Sequence, residues 1–419
     1  MKEERSYICI DMKTFYASVE CAERGLNPFE TNLVVVDKAR GKNALCLAIT
    51  PHLKAHGIRN RCRISEIPKN INYISALPRM QLYIDYTAEI YSIYLDYFSP
   101  DDIHVYSIDE MFIDVTDYLF AYKTDPVSLA RKLIRLIAEK KHIPATAGVG
   151  TNLYLAKIAL DITAKNSKSN IGYLNEELYR KKLWNHQPIT DFWQVAGGTA
   201  RRLEKYGIRT MRGIAEAPPE LLYRNFGINA ELLIDHAFGR ESCLIKDIKN
   251  YERKSKSISF SQILPHDYSQ DDAILVFREM LLNGCQELMR RKIIAGRISI
   301  GIGYSGCTHE PTRGGIRLMR AVQTYSTMRE PAEKLFRKTA AYDYFIRRLE
   351  ITFSDILDER YEYYDMLTDI KAEEEEKARE TAVLKLKDMY GKNAVLRGTD
   401  LLKAATQRER NEMIGGHRA

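Results

Sequence analysis

The chain has 419 residues, 45% of them hydrophobic and 28% charged, with 63 lysines and arginines against 56 aspartates and glutamates for a formal net charge of +7. That length exceeds one ordinary core and predicts roughly two to four domains, while the lack of an apolar run near ~18 residues excludes a membrane-embedded protein. The start, MKEERSYICIDM, lacks the apolar core of a secretory leader, so the expectation is a cytoplasmic protein.

SYICID (6–11) is a short apolar strand pattern, followed by a helical pattern through FYASVECAERG and the β-rich runs NLVVVD and ALCLAIT. After a polar stretch come an amphipathic helix near 80–98, the strand IHVYS, a turn at Ile108 and Asp109, the strand EMFIDV, the helix PVSLARKLIRLIAEKKH and the strand ATAGVG. Such alternation predicts a mixed sheet with helices packed on it. From 172 to 240 the pattern changes to short helices with Gly-containing turns, VAGGTARRLEKYGI and APPELLYRNFGI, and CLIKDIKNYERKSK (243–256) reads as a charged tether. Beyond it the order strand, helix, strand, strand, helix, strand is ferredoxin-like.

Seven cysteines (Cys9, Cys21, Cys46, Cys62, Cys243, Cys285, Cys307) show no C-x-x-C pair or zinc spacing, so they read as reduced residues. The last domain carries roughly six more basic than acidic residues, among them Arg253, Lys254, Lys256, Arg290, Arg291, Lys292 and Arg297. Any one of these is ordinarily a solvated surface charge. In KSKSISFS, however, Ser255, Ser257, Ser259 and Ser261 fall on one face and Ile258 and Phe260 on the other, and a small polar face lets a sheet approach a phosphate backbone.

YSIDEMFIDVT sets two carboxylates, Asp109 and Glu110, side by side. Successive strand side chains point to opposite faces, so the two serve one site only if the chain turns there. A tight hairpin with HVYS incoming and EMFIDV outgoing does this, and Asp11, ending the first strand, would complete a trio where that strand lies beside the hairpin. Crowded carboxylates repel and have raised pKa values unless cations neutralise them. Hard oxygen ligands select Mg²⁺ or Mn²⁺, and two such ions ~3.5–4 Å apart serve phosphoryl or nucleotidyl transfer. On these residues alone, an Asp109 that caps a turn and a Glu110 that faces water stand equally open; Asp114 reads as structural. Phe15 and Tyr16, at the start of the next helix, are either two core aromatics or a face that stacks on a sugar and leaves no room for a 2′-hydroxyl.

Taken together, IDMKTFYASVE, YSIDEMFIDVT, GVGTNLYLAKIALDITAKNS and the helical segment after them, in order from residue 6 to 355, resemble the Y-family translesion DNA polymerases. RISEIP (63–68) and the C-terminal KNAVLRGTDLLKAATQRERNEMIGGHRA resemble the UmuC-like members of Gram-positive bacteria and their mobile elements. The resemblance implies an α+β multi-domain right hand: a ferredoxin-like palm (1–22 and 82–171), small fingers (23–81), a helix-hairpin-helix-like thumb (172–242), a linker (243–252), a ferredoxin-like little finger (253–355) and a tail (356–419). By matching position, Asp11, Asp109, Glu110 and the Met12 carbonyl would hold two Mg²⁺ ions, with Mn²⁺ as a substitute; Tyr16 would be the steric gate, Phe15 its neighbour beneath the nucleotide, and Lys54 and Lys165 contacts of the incoming triphosphate. Gly197, Gly198, Lys254, Lys256, Ser257 and Arg297 would meet DNA.

The implied activity is low-fidelity, template-directed addition of a dNTP to a primer 3′-hydroxyl during SOS-type damage tolerance. Primer–template DNA and dNTP are its substrates, and a sliding clamp and a regulatory subunit or recombinase filament are partners of a monomeric core. Three positions depart from the family pattern. Pro51 and Lys54 replace a Tyr and an Arg of the fingers, the spacing from Asp161 is one residue longer so that Ala164 or Lys165 takes the expected place, and Gln194-Val195-Ala196 precedes Gly197-Gly198 in the thumb. YEYYDMLTD (361–369) stands where relatives carry a clamp peptide, with Tyr363 in place of its Gln and Met366 and Leu367 as anchors. The run DIKAEEEEKARETAVLKLKDMYG reads as an exposed amphipathic helix whose acidic run is a solvated face. A DNA-binding scaffold without chemistry would be expected to have lost one of the three carboxylates, and a nucleotide cyclase leaves the thumb and the basic C-terminal domain unexplained.

Overall fold

A computed structural model describes residues 5–41, 43–251, 257–307, 309–366 and 368–419, in two compact units that divide after Tyr251. Among the described residues no helix is long and apolar enough to cross a membrane.

The first unit is built on β1 (Tyr7–Met12), the third strand of five in a sheet ordered β5-β6-β1-β7-β8. β1 leads into α1 (Phe15–Ala22), and a small sheet follows with β2 (Leu33–Val35) between β3 (Ala48–Ile49) and β4 (Ile74–Ala76), α2 (Pro51–Ala55) leading on from β3. Val34, Val36, Cys46, Ile49, Leu53 and Ile67 make its separate core. The chain returns through α3 (Met80–Leu95) to the hairpin of β5 (Ile103–Val105) and β6 (Glu110–Asp114), then α4 (Tyr118–Ala121), α5 (Pro126–Lys141), β7 (Ala145–Gly150), α6 (Leu153–Ile158) and β8 (Ile171–Leu174). β1 pairs antiparallel with both β6 and β7, so nothing on it is solvated except near its end. Its alternation puts Tyr7 and Cys9 on one face, packed with Phe112, Leu153, Ala156 and Leu160. α6 runs into a five-residue π turn, Ala159–Thr163, that lies tight on the sheet. A Cβ at Gly148 would stand 2.1 Å from the Ala156 carbonyl oxygen, so only glycine admits this approach.

Helices α7 (Glu176–Leu183), α8 (Gly197–Glu204), α9 (Met211–Glu216), α10 (Pro219–Phe226) and α11 (Asn229–Phe238) then close a helical core around Tyr179, Phe192, Leu203, Met211, Leu222 and Leu233. The segment read as a tether is partly structured: α12 (Ile245–Asn250) has Leu244, Ile245 and Ile248 spaced to one side, and Ile245 is buried against the Tyr7–Cys9 face.

In the second unit β9 (Ser257–Tyr268), α13 (Gln270–Arg290), β10 (Ile293–Tyr304), β11 (Thr312–Val322), α14 (Tyr325–Thr339) and β12 (Ile346–Asp358) give the expected β-α-β-β-α-β order, in an antiparallel sheet β11-β10-β12-β9 whose core includes Phe277, Met280, Ile298, Phe336 and Phe353. The acidic helix is a correction to the sequence reading. α15 (Ile370–Tyr390) turns Glu373, Glu376 and Glu380 inward rather than to water. Arg320 pairs with Glu373, Arg397 reaches Glu380 at 3.1 Å, Gln286 donates to Glu380 at 2.9 Å and the Ser326 N–H donates to Glu376 at 3.1 Å. Charges paired this way are buried without ruin. Farther on, α16 (Gln407–Asn411) begins beside Thr406, whose N–H and hydroxyl both donate to Glu279 of α13. The C-terminal residues are thus a third layer over α13.

Candidate active site

Register does what the hairpin tip alone cannot. Asp11 is the cross-strand partner of Glu110, so both side chains leave the same face of adjacent strands, and Asp109 occupies the bend just before β6. Three bonds fix that bend: the Met12 N–H donates to the Asp109 carbonyl at 2.9 Å, Ser107 Oγ to Asp109 Oδ1 at 2.6 Å, and Thr87 Oγ1 of α3 to the Ile108 carbonyl at 2.6 Å. The cost of gathering the acids falls on Asp11, whose carboxyl is pushed up to about 7, first by burial, then by Asp109 and Glu110, against the partial relief of Lys165 and Lys157. Hard oxygen donors crowded in this way fit a divalent cation.

Glu110 differs from the other two. Its Oε2 accepts from Lys157 Nζ at 2.7 Å and its Oε1 from the buried Cys9 thiol at 3.2 Å. Among the described residues the acids are therefore not drawn into one ready-made metal cage; they share an edge, with Glu110 held from beneath. Lys157 also reaches Asp161 Oδ2 at 3.0 Å, and Asp161 Oδ1 takes Lys165 Nζ at 3.0 Å. Sequence reasoning passed over Lys157, although a lone lysine inside the apolar run LYLAKIAL signals a buried, paired cation.

Of the two residues open at the position after Asp161, Ala164 follows the π turn and is buried, and Lys165, more than half exposed, is the residue that turns toward Asp161 and Asp11. Lys54 of α2 also stands within electrostatic reach of Asp11, Lys165 and Lys13; desolvation holds its ammonium below the ordinary lysine value, and Asp11 opposes that shift.

Between β1 and α1 the chain turns through Thr14 at φ 48°, a strained conformation for a β-branched residue. Ser18 holds it, donating its backbone N–H to the Thr14 carbonyl at 3.0 Å and its hydroxyl to Lys13 O at 2.6 Å. The turn sends Phe15 into the core and stacks Tyr16 on Tyr83, ring centroids 4.5 Å apart at 18°. The Tyr16 hydroxyl is pushed up by burial and then by Asp109, which places the ring beside the acids. Tyr83 is itself anchored, donating to the buried Glu20 at 2.9 Å, a carboxylate that Arg79 grips through two nitrogens at 3.0 and 2.8 Å. Glu20, Arg79 and Tyr83 were not singled out by sequence.

Elsewhere in the first unit, Gly197 and Gly198 open α8 and are exposed, with free space around both. In the second unit, one face of the sheet carries Ser257, Ser259 and Ser261 of β9, Thr352 and Arg348 of β12, Arg297 and Ser299 of β10, and Arg313 and Arg317 of β11, as the cross-strand register requires. Arg313 and Arg317 were legible in RGGIR, where they alternate with apolar Ile316 and Leu318. Lys254 and Lys256 lie outside the described residues. Tyr363 and Met366 are exposed, the Tyr363 hydroxyl donating to the Met319 carbonyl at 3.4 Å, and Leu367 lies outside the described residues.

Residues 10–161 match the impB/mucB/samB family, and residues 255–365 match the C-terminal domain of that family. The chain is 31% identical over 427 residues to the putative UV-damage repair protein UvrX of Bacillus subtilis (strain 168), covering 99% of this chain and 98% of that one. It is 28% identical over 424 residues to DNA polymerase IV 2 of the same strain, covering 100% of each. Among solved structures, the Y-family DNA polymerase chimera Dbh-Dpo4(243-245)-Dbh matches with a TM-score of 0.65 at 23% identity, over 84% of this chain and 99% of that one. That likeness is one of fold.

Proposed function

Because this chain belongs to the impB/mucB/samB family of Y-family DNA polymerases, we infer that the edge formed by β1 and β6 is where it joins a deoxynucleotide to a primer. It is a DNA-directed DNA polymerase, and the reading proposed for it is translesion synthesis. The observation that carries the site is the pairing of Asp11 with Glu110 in register, Asp109 being one residue away and Tyr16 beside it.

In this reading Asp11, Asp109, Glu110 and the Met12 carbonyl hold two Mg²⁺ ions, for which Mn²⁺ can substitute. When bound, the ions supply the charge that activates the primer 3′-hydroxyl and neutralises the departing pyrophosphate. The protein's residues do the rest. Lys165 and Lys54 receive the triphosphate, Lys as a mobile point charge rather than a bidentate fork. Tyr16, backed by Tyr83, sits against the sugar with Phe15 beneath, leaving no space for a 2′-hydroxyl. The palm comprises residues 1–22 and 82–171, the fingers 23–81, the thumb 172–242 and the little finger 253–355, with 243–252 as linker and 356–419 as tail. Primer–template DNA is gripped by Gly197 and Gly198, through backbone N–H groups of a helix start, and by Lys254, Lys256, Ser257 and Arg297, joined on the sheet face by Arg313, Arg317 and Arg348. A clamp would dock at Tyr363, Met366 and Leu367.

The test is extension of a labelled primer on undamaged and abasic-site templates, wild type against Asp109→Asn at matched DNA occupancy. Extension on both templates that falls by about a thousandfold or more in the variant is the expected result; equal extension by the two proteins would remove Asp109 from the chemistry. Tyr16→Ala should keep deoxynucleotide addition and raise ribonucleotide incorporation by about a hundredfold, read by alkali cleavage of the products.

A further inference from the structure

We propose that Lys157 is a positioning residue of this polymerase, an internal cation that sets the place of Glu110 and links it through Asp161 to Lys165. The inference deepens the polymerase reading and rests on it.

Lys157 is nearly enclosed, its side chain 9% exposed, and that of Glu110 is 10% exposed. An ion pair at such depth adds little stability over an apolar pair of the same size, because desolvation consumes most of the attraction. Its location is what distinguishes it. One of its carboxylates, Glu110, faces Asp11 across the sheet, and the other, Asp161, is shared with Lys165. With Cys9 on Oε1 and Lys157 on Oε2, Glu110 offers an oxygen to any further cation only by sharing one already engaged. Lys157 therefore acts on the acids in two opposed ways. It fixes the Glu110 rotamer that the reaction uses, and its charge repels a divalent ion from the same edge. The chain Glu110–Lys157–Asp161–Lys165 adds a route for the substrate to act: a polyanion that draws Lys165 away leaves Asp161 to Lys157 alone and loosens the hold on Glu110.

A lysine with only a packing role would, when replaced, weaken ion binding and turnover together. The proposed role predicts a split. Mn²⁺ binding to the full-length protein on primer–template DNA, without nucleotide, is followed by electron paramagnetic resonance, and single-nucleotide turnover is measured on the same preparations. Lys157→Gln removes the charge and keeps a donor; it should bind Mn²⁺ about tenfold more tightly while kcat falls about tenfold and KM for dNTP stays within about twofold. Lys157→Met should show the same tightening and a larger loss of kcat, and Lys157→Arg should restore both quantities to near wild type. Where the Met variant does not fold, the Gln variant decides. Unchanged or weakened Mn²⁺ binding in Lys157→Gln, beside a wild type that binds the ion and extends the primer, overturns the role of Lys157 alone. A wild type that neither binds Mn²⁺ nor extends overturns the polymerase reading on which it stands, and the positioning role with it.

Discussion

Two of the regions in which this molecule buries carboxylates do so to opposite ends. At the edge of β1 and β6, Asp11 and Asp109 gather with Glu110 while an enclosed cation beside them, Lys157, is spent on Glu110 and Asp161. Under α15, Glu373, Glu376 and Glu380 are met by Arg320, Arg397, a glutamine amide and a backbone N–H. The difference lies in what surrounds the acids, not in the acids. A cluster left short of positive charge stores repulsion and is poised to take up an ion; a cluster matched within the fold is an adhesive.

Substitutions should therefore have opposite signatures in the two places. The largest effect is expected from Asp11→Asn, which should cut primer extension by about a thousandfold or more while leaving the melting temperature at pH 8 equal to or above that of wild type, since it relieves repulsion. Lower stability would mean that Asp11 is structural. Next in size, Arg320→Leu strands Glu373 without its buried cation and should cost about 3 kcal/mol, seen as an earlier thermal transition of the second unit; a melting curve like wild type would refute the adhesive reading. The smallest effect is a pH dependence that only the first cluster should show. Asp11 has a folded-state pKa near 7 against 3.8 unfolded, so in the folded protein it holds its proton over that interval. Its contribution favours folding at low pH and is lost as pH rises from about 4 to 7. With a chelator present, the stability advantage of Asp11→Asn over wild type should be larger at pH 8 than at pH 5, and a constant advantage would contradict the assigned cause.

Much of the carboxylate edge was legible because its signals are local: an apolar run ending in Asp11, an Asp-Glu pair at a turn, and a period of two on either side. The β-α-β-β-α-β order was legible for the same reason. What could not be read depends on partners far away in the chain. The apolar run around Lys157 signals burial, but its partner Glu110 lies 47 residues earlier and is met only in the fold. The EEEE run looks solvated until Arg320, 53 residues before Glu373, supplies the reason for burial. The helix within the presumed tether was hidden because three apolar residues, Leu244, Ile245 and Ile248, sat among charges that dominated the reading.

The π turn at Ala159–Thr163 bears on how such a chain can change length. In an ordinary helix one added residue rotates everything after it by about 100°, which would swing Lys165 off the side that holds Asp161. A wider turn spends the added residue locally and hands the helix on in its former phase. A residue added within such a turn would therefore be nearly silent to the pairing of Asp161 with Lys165.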